Sequence, residues 1–183
     1  MYIEDETFTG VNQLERAEYE YCTFVNCDLS NAFLNGFKFL ECEFEDCNLS
    51  NANLVATAFK NVTFTNCKLM GLDFSKSDSF GFEVTFNTCQ LMHANFYQVQ
   101  LKKTYFNSCK IVEVDFSEAD LSQAVFSECD LSGAIFEQTN LEGTDFRTSE
   151  YFQIHPEFNR MKGAKFSKEN IAGLVQHLKI KIE

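Results

Sequence analysis

Asp115–Phe146 reads DFSEADLSQAVFSECDLSGAIFEQTNLEGTDF, and a large apolar residue returns in it at every fifth position: Phe116, Leu121, Phe126, Leu131, Phe136, Leu141 and Phe146. An α-helix repeats its buried face about every 3.6 residues and a flat strand every 2. A strict period of five therefore needs a backbone that runs extended for a short side and then turns.

The same register extends far beyond this stretch. Apolar centres occur at Tyr19, Phe24, Leu29, Leu34, Phe39, Phe44, Leu49, Leu54, Phe59, Phe64, Leu69 and Phe74. Through Ser75–Thr85 the register slips by two residues around Gly81, and it resumes at Phe86, running on to Phe146 and Tyr151. The expected organisation is an irregular N-terminal coil or cap over 1–18, a first stack over 19–74, a glycine-containing break over 75–85, a second stack over 86–151 and a C-terminal cap over 152–183. No polar linker separates the stacks, so they are parts of one array rather than two domains.

With each centre as position i, position i−2 holds a small residue with few exceptions, such as Cys27, Ala32, Cys47, Ala52, Cys109, Ala119 and Ala124, while Phe37 puts a large ring in that slot. In an extended segment i and i−2 point the same way and i−1 the opposite way. Positions i and i−2 thus face inward, and i−1, often Asp or Asn, faces out. Positions i+1 and i+2, rich in Ser, Thr, Asn and Gly, supply a corner. Four such corners close a coil of 20 residues. The cysteines test that closure independently, because Cys27, Cys47 and Cys67 are spaced by 20, as are Cys89, Cys109 and Cys129. At about 4.8 Å between stacked strands, residues 19–151 make a rod of roughly 32 Å.

Beyond the repeat, Ser167 reads as a helix N-cap, and Ile171, Leu174, Val175 and Leu178 recur at i, i+3, i+4 and i+7. The spacing predicts an amphipathic α-helix over about 168–178, followed by a short strand at Ile180-Lys181-Ile182. That apolar face either caps the last coil or forms a two-fold contact between copies.

The formal net charge of −12 argues against direct nucleic-acid binding, which needs a basic surface. A basic protein surface is the expected partner. No apolar run is long enough to span a membrane, and the acidic start lacks the apolar core of a signal peptide, so a cytoplasmic location is expected. Every one of the 8 cysteines sits at an inward i−2 slot, without Cys-x-x-Cys spacing, and is expected to be structural filler. His93, His155 and His177 have no catalytic or metal-ligand spacing, and no phosphate loop is visible. A non-enzymatic protein without cofactor or metal is expected.

The candidate functional feature is the acidic surface. Residues 113–150 contain ten acids against Arg147 alone. Asp115, Glu118, Asp120, Glu128, Asp130, Glu137, Glu142 and Asp145 are the candidate partner-binding residues; the alternative is ordinary solvation of a rod with an apolar interior. Phe33, Val125 and Ile135 are apolar at outward positions, marking possible contact points for a protein-interaction scaffold.

The units Ala-Asp-Leu-Ser-Gln, Cys-Asp-Leu-Ser-Gly and Ala-Asn-Leu-Val-Ala resemble those of pentapeptide-repeat proteins over residues 19–151. The resemblance implies an all-β, right-handed quadrilateral parallel β-helix. A narrower similarity is to the quinolone-resistance (Qnr-type) members, which have two stacks interrupted at a glycine, as at Gly81 here, and a C-terminal helix that mediates dimerisation. That likeness implies a homodimeric DNA mimic that binds DNA gyrase or topoisomerase IV and protects it from poisons.

Overall fold

In a computed structural model describing residues 1–181, the chain winds into a four-sided parallel β-solenoid. Its strands are short because the backbone turns every five residues. At almost every corner the i+2 residue has φ near +50° to +70°: Asn26, Asn31, Glu41, Asp46 and Asn51 in the first stack, and Gln98, Lys103, Ser108, Glu113 and Glu118 in the second. A left-handed conformation costs a non-glycine residue about 1–2 kcal/mol. Here it points the residue's N–H along the rod axis, where it meets a carbonyl of the next coil: Asn31 N to Ser50 O at 2.9 Å, Glu113 N to Ser132 O at 2.9 Å. Each such bond contributes about 1 kcal/mol net, offsetting most of the corner's strain.

The first side carries β1 (Tyr2–Glu4), β3 (Glu18–Glu20), β5 (Lys38–Leu40) and β7 (Ala58–Lys60) in one parallel sheet. The second carries β2 (Thr7–Thr9), β4 (Thr23–Val25), β6 (Glu43–Glu45), β8 (Val62–Thr65), β9 (Val84–Asn87), β10 (Tyr105–Asn107) and β11 (Val125–Ser127). The third side is a column of single bridges from Asp28 through Asn48, Lys68, Gln90, Lys110 and Asp130 to Glu150. The fourth bridges Phe33 to Asn53, and Asp73 through Asn95 and Asp115 to Ile135. The first side resumes in the second stack as Gln100, Asp120, Asn140 and Arg160.

Register exposes two departures from the 20-residue coil. Tyr2 pairs with Glu18 and Phe8 with Phe24, so the first coil is only 16 residues around. Residues 1–18 thus begin the ladder itself, cut short on the fourth side, where Asn12, Gln13 and Leu14 line a recess beneath Phe33. At the break, Phe64 pairs with Phe86, a coil of 22. The two extra residues emerge around exposed Gly81, whose φ is +70°. The neighbouring Phe80 ring lies 4.8 Å from the Lys60 ammonium.

The core is built from stacked rings. Along the second side Phe8, Phe24, Phe44, Phe64, Phe86, Phe106, Phe126, Phe146 and Phe166 form one continuous ladder with centroid spacings of 4.5 to 5.6 Å. A second aromatic column changes sides at the break. Tyr19, Phe39 and Phe59 occupy the first side; Phe74, Phe96, Phe116 and Phe136 occupy the fourth. Phe82 joins them edge-on, 6.2 Å from Phe59 and 6.1 Å from Phe74.

The expected α-helix over 168–178 is not formed. Ile171–Leu174 and Gln176–Leu178 are two short 3₁₀ turns, in which Gly173 N donates to Asn170 O and Leu178 N to Val175 O. The cause lies at Gly173. Its carbonyl accepts from Ile154 N at 3.1 Å instead of from the residue four positions on, and a Cβ there would lie 2.4 Å from Phe152 O. Docking against the last coil thus displaces helical pairing. The predicted strand at Ile180-Lys181-Ile182 lies partly outside the described residues.

Candidate interaction surface

The outward Asp and Asn side chains do structural work first. At i−1, each reaches over its corner and accepts the backbone N–H of i+1: Asp115 from Ser117 at 2.8 Å, Asp120 from Ser122 at 3.0 Å, Asp130 from Ser132 at 3.0 Å and Asp145 from Arg147 at 3.1 Å. Asn48, Asn53 and Asn95 do the same with a neutral oxygen. The position requires an acceptor, not a charge.

The candidate acids are distributed around the rod rather than gathered. Asp115 and Glu137 lie on the fourth side, with Glu118 at its edge; Asp120 and Glu142 lie on the first; Asp145 is on the second, Glu128 at its edge, and Asp130 on the third. Two are partly neutralised. Lys102 Nζ stands 3.4 Å from Asp120, and Asp145 lies 2.7 Å from Arg147 and 3.9 Å from Lys165. The Arg147 hydrogen bonds hold the Asp145 carboxyl below the usual carboxylate range. For Asp120, partial burial acts the other way, but hydrogen bonds from Ser122 and Lys102 outweigh it and the pKa is lowered.

A denser acidic group lies at the other end of the rod, on the edge between the first and second sides. The ladder brings Glu4 beside Glu20, and Thr7 and Thr23 lead up to Glu43, with Asp5, Glu6 and Glu41 at the same edge, whereas Glu45 ends β6 and Asp46 turns the next corner, between the second and third sides. Among the described residues only Glu18, which pairs with Lys38 at 2.9 Å, has a basic partner there. The signal was present in the composition, since residues 1–46 hold eleven acids against Arg16 and Lys38. It was hidden because those acids lie on separate strands.

The apolar outliers separate as well. Phe33 and Ile135 share the fourth side and are 81% and 44% exposed, whereas Val125 sits half-buried within β11 on the second. At the C-terminal end, Leu174 packs against the core and Val175 is half-buried, while Ile171 and Leu178 are exposed. Phe152, Asn170, Val175, Gln176 and Ile180 help to line an open recess of about 900 Å³ there. Asn170 closes the rod: its Nδ2 donates to Phe146 O at 2.8 Å and Ser149 O at 2.9 Å.

The cysteines are buried free thiols with more to do than fill space. Cys47 Sγ lies 3.3 Å from Phe24 O and 3.2 Å from Glu45 O, and the neighbouring Cys67 repeats the arrangement with Phe44 O and Thr65 O. Thr57, Thr139 and Ser149 place a hydroxyl in the equivalent bond to the coil below. Burial pushes the Cys42 thiol up to about 12, away from nucleophilic use. The His155 and His177 rings lie 4.1 Å apart between centroids, tilted by 38°, and His93 lies 3.2 Å from Glu113. Among the described residues no group of three or more His, Cys, Asp or Glu side chains is arranged to hold a metal, and no helix is long and apolar enough to cross a membrane.

Comparison with known proteins bears on this architecture directly. The family described as the pentapeptide repeat region matches residues 17–80 and 82–174. A trypsin-treated variant of QnrB1, a plasmid-mediated fluoroquinolone resistance protein, aligns with 100% of this chain and 98% of its own at 22% identity and a TM-score of 0.55. Full-length QnrB1 aligns at 25% identity over 98% of this chain and 100% of its own, with a TM-score of 0.40. HetL, a pentapeptide repeat protein involved in heterocyst differentiation regulation in the cyanobacterium Nostoc sp. strain PCC 7120, aligns at 18% identity over 91% of this chain and 84% of its own, TM-score 0.45. No curated protein matches the sequence. At such identities the likeness extends to the fold alone.

Proposed function

This chain belongs to the pentapeptide-repeat family, and on that premise we propose that it is a non-enzymatic, cytoplasmic mimic of duplex DNA. Its partner is a type II topoisomerase, DNA gyrase or topoisomerase IV, which it modulates or shields from quinolone-like poisons. The observation that carries this reading is the charge density of the first and second sides at the N-terminal end of the rod. Nine acids there, Glu4, Asp5, Glu6, Glu18, Glu20, Glu41, Glu43, Glu45 and Asp46, occupy three successive coils. Three coils span about 14 Å, and a duplex of that length carries about eight phosphate charges. A rigid backbone presents these carboxylates without an ordering cost at binding. QnrB1, a fluoroquinolone resistance protein of the same fold, adds support by analogy.

The test is a gyrase supercoiling assay with and without a fluoroquinolone. The protein is expected either to inhibit supercoiling or to relieve drug inhibition, with an effect that weakens as salt rises. Replacing exposed Glu43 and Glu45 with Lys should abolish the effect. These positions suit the test better than Asp115, Asp120 or Asp130, whose carboxylates hold corners. A protein that neither inhibits nor protects, at concentrations where it is soluble and folded, overturns the reading.

The protein is further proposed to be a homodimer joined at its C-terminal end, where Ile171 and Leu178 leave apolar surface exposed. Leu178→Asp should then give a folded monomer by sedimentation, and an unchanged sedimentation coefficient would count against the dimer.

A further inference from the structure

The fourth side of the rod combines apolar anchors with a surplus of acids. Phe33, Val55, Tyr97 and Ile135 project from it, 81%, 47%, 39% and 44% exposed. They stand in two outward rows, Phe33 and Ile135 at i−1, Val55 and Tyr97 at i+1. Beside them stand Asp73, Asp115, Glu118 and Glu137; no Lys or Arg occupies an outward i−1 or i+1 position of this side from residue 33 to residue 137, and Lys76 stands exposed at an i+2 corner, as Glu118 does. Tyr97 is held in place by its hydroxyl, which donates to Glu118 at 3.1 Å. At the N-terminal end the shortened first coil leaves a recess of about 380 Å³ bounded by Asn12, Gln13, Leu14, Ala32, Phe33 and Leu34.

We infer that this side is a docking surface for a cationic amphipathic α-helix of a partner protein, laid along the rod axis. The dimensions match. From Phe33 to Ile135 the ladder takes five coil steps, about 24 Å at 4.8 Å each, which is the length of about 16 helical residues. One coil step also approximates one helical turn of about 5.4 Å, so apolar residues at i, i+3/i+4 and i+7 of the partner meet successive coils. The recess beneath Phe33 receives a terminal apolar side chain. The acids beside the anchors select Lys or Arg on the flanks of that helix. Charge rules out the other occupants: a second copy would bring the same carboxylates, on a chain of net charge −12, against their own kind, and nucleic acid is repelled. This surface is distinct from the acidic N-terminal edge, so it does not rest on the topoisomerase reading.

The experiment uses two fluorescein-labelled Leu/Lys peptides of about 16 residues, identical in composition, one with Leu at i, i+3/i+4 and i+7 and one with those positions scrambled. Anisotropy at about 150 mM salt should show the patterned peptide binding about tenfold or more tightly than the scrambled one. The double variant Tyr97→Ser/Ile135→Ser should weaken the patterned peptide about tenfold, as loss of aromatic and aliphatic anchors does. Tyr105→Ser, an exposed aromatic on the second side, should leave it unchanged. Thermal melts establish that each variant is folded, and Phe33→Ser replaces the double variant if that one is not. Equal affinity for the two peptides, binding of neither, or full affinity in the folded double variant overturns the inference. Loss of the topoisomerase effect would instead appear in the supercoiling assay with the Glu43 and Glu45 variants, leaving peptide binding intact.

Discussion

Removing the Asn170 amide should unfasten the C-terminal end of the rod and nothing else. Its side chain donates to Phe146 O at 2.8 Å and Ser149 O at 2.9 Å, and its Oδ1 accepts from Ser167 N at 2.9 Å. Asn170→Ala deletes all three bonds; at about 1 kcal/mol net each, the local loss is about 3 kcal/mol. In a solenoid each coil contacts only its neighbours, so the loss is expected to appear as end fraying rather than global destabilisation. The assay is native-state hydrogen exchange. Amide protons of Ile154 and Gly173, which bond to Gly173 O and Asn170 O, should lose about two orders of magnitude of protection, since 1.4 kcal/mol is about tenfold. Those of Leu91 and Ile111, bonded to Lys110 O and Asp130 O in mid-rod, should not change. Asn170→Asp should be at least as damaging, because it retains the Ser167 acceptor but sets a carboxylate against two carbonyl oxygens. Unchanged exchange at Ile154, or equal loss at Leu91 and Ile111, would refute this account of the cap.

Acid should destabilise the protein through its paired aspartates. Asp120 and Asp145 have folded pKa values below the ordinary carboxylate value. Their contribution is full above about pH 4, the unfolded value, and is lost as pH falls through the lower folded values, where the unfolded chain already binds more protons. Asp145→Asn keeps an acceptor for Arg147 N and should flatten the fall of Tm below pH 4; an identical acid slope would count against the pairing. Phe82→Ala, at the junction of the two aromatic columns, should cost about 2 kcal/mol in denaturant melts, and Phe106→Ala, inside the ladder, about 4 kcal/mol. Equal costs would mean that the junction packs as tightly as the ladder. Asp130→Ala, which removes acceptors of the Ser132 N–H and hydroxyl, should cost about 1–2 kcal/mol, whereas Asp130→Asn should be nearly neutral.

The coil was legible because burial imposes a period. Phe116, Leu121 and Phe126 point inward for the same reason, and the 20-residue spacing of Cys27, Cys47 and Cys67 reports that four sides close. The corners were less legible, since Glu41, Lys103 and Gln123 adopt positive φ without the glycine that usually announces it. Their conformation is set by the next coil's carbonyl, a long-range partner that local propensity does not contain. The C-terminal segment misled for the opposite reason. Ile171, Leu174, Val175 and Leu178 have helical spacing, but the contact of Gly173 with Phe152 and Ile154 overrides it. Surface charge was the least legible feature. Asp115, Asp120 and Asp130, close in sequence, diverge to three sides, whereas Glu4 and Glu20, which are 16 apart, become neighbours because the first coil is short.

The coil lengths of 16, 20 and 22 residues imply a rule about how such a chain tolerates changes of length. Excising residues 90–109 would join Cys89 to Lys110 and return every later side chain to its own column, with Phe126 stacking on Phe86 as Phe106 does now. Excising five residues would instead turn everything downstream by a quarter revolution, placing leucine columns above phenylalanine ones and moving the fourth side's anchors onto another wall. The molecule behaves as a dial with four settings. The insertion at Gly81 avoids a quarter turn by expelling its two extra residues as a loop, and the second aromatic column nevertheless re-enters one setting away.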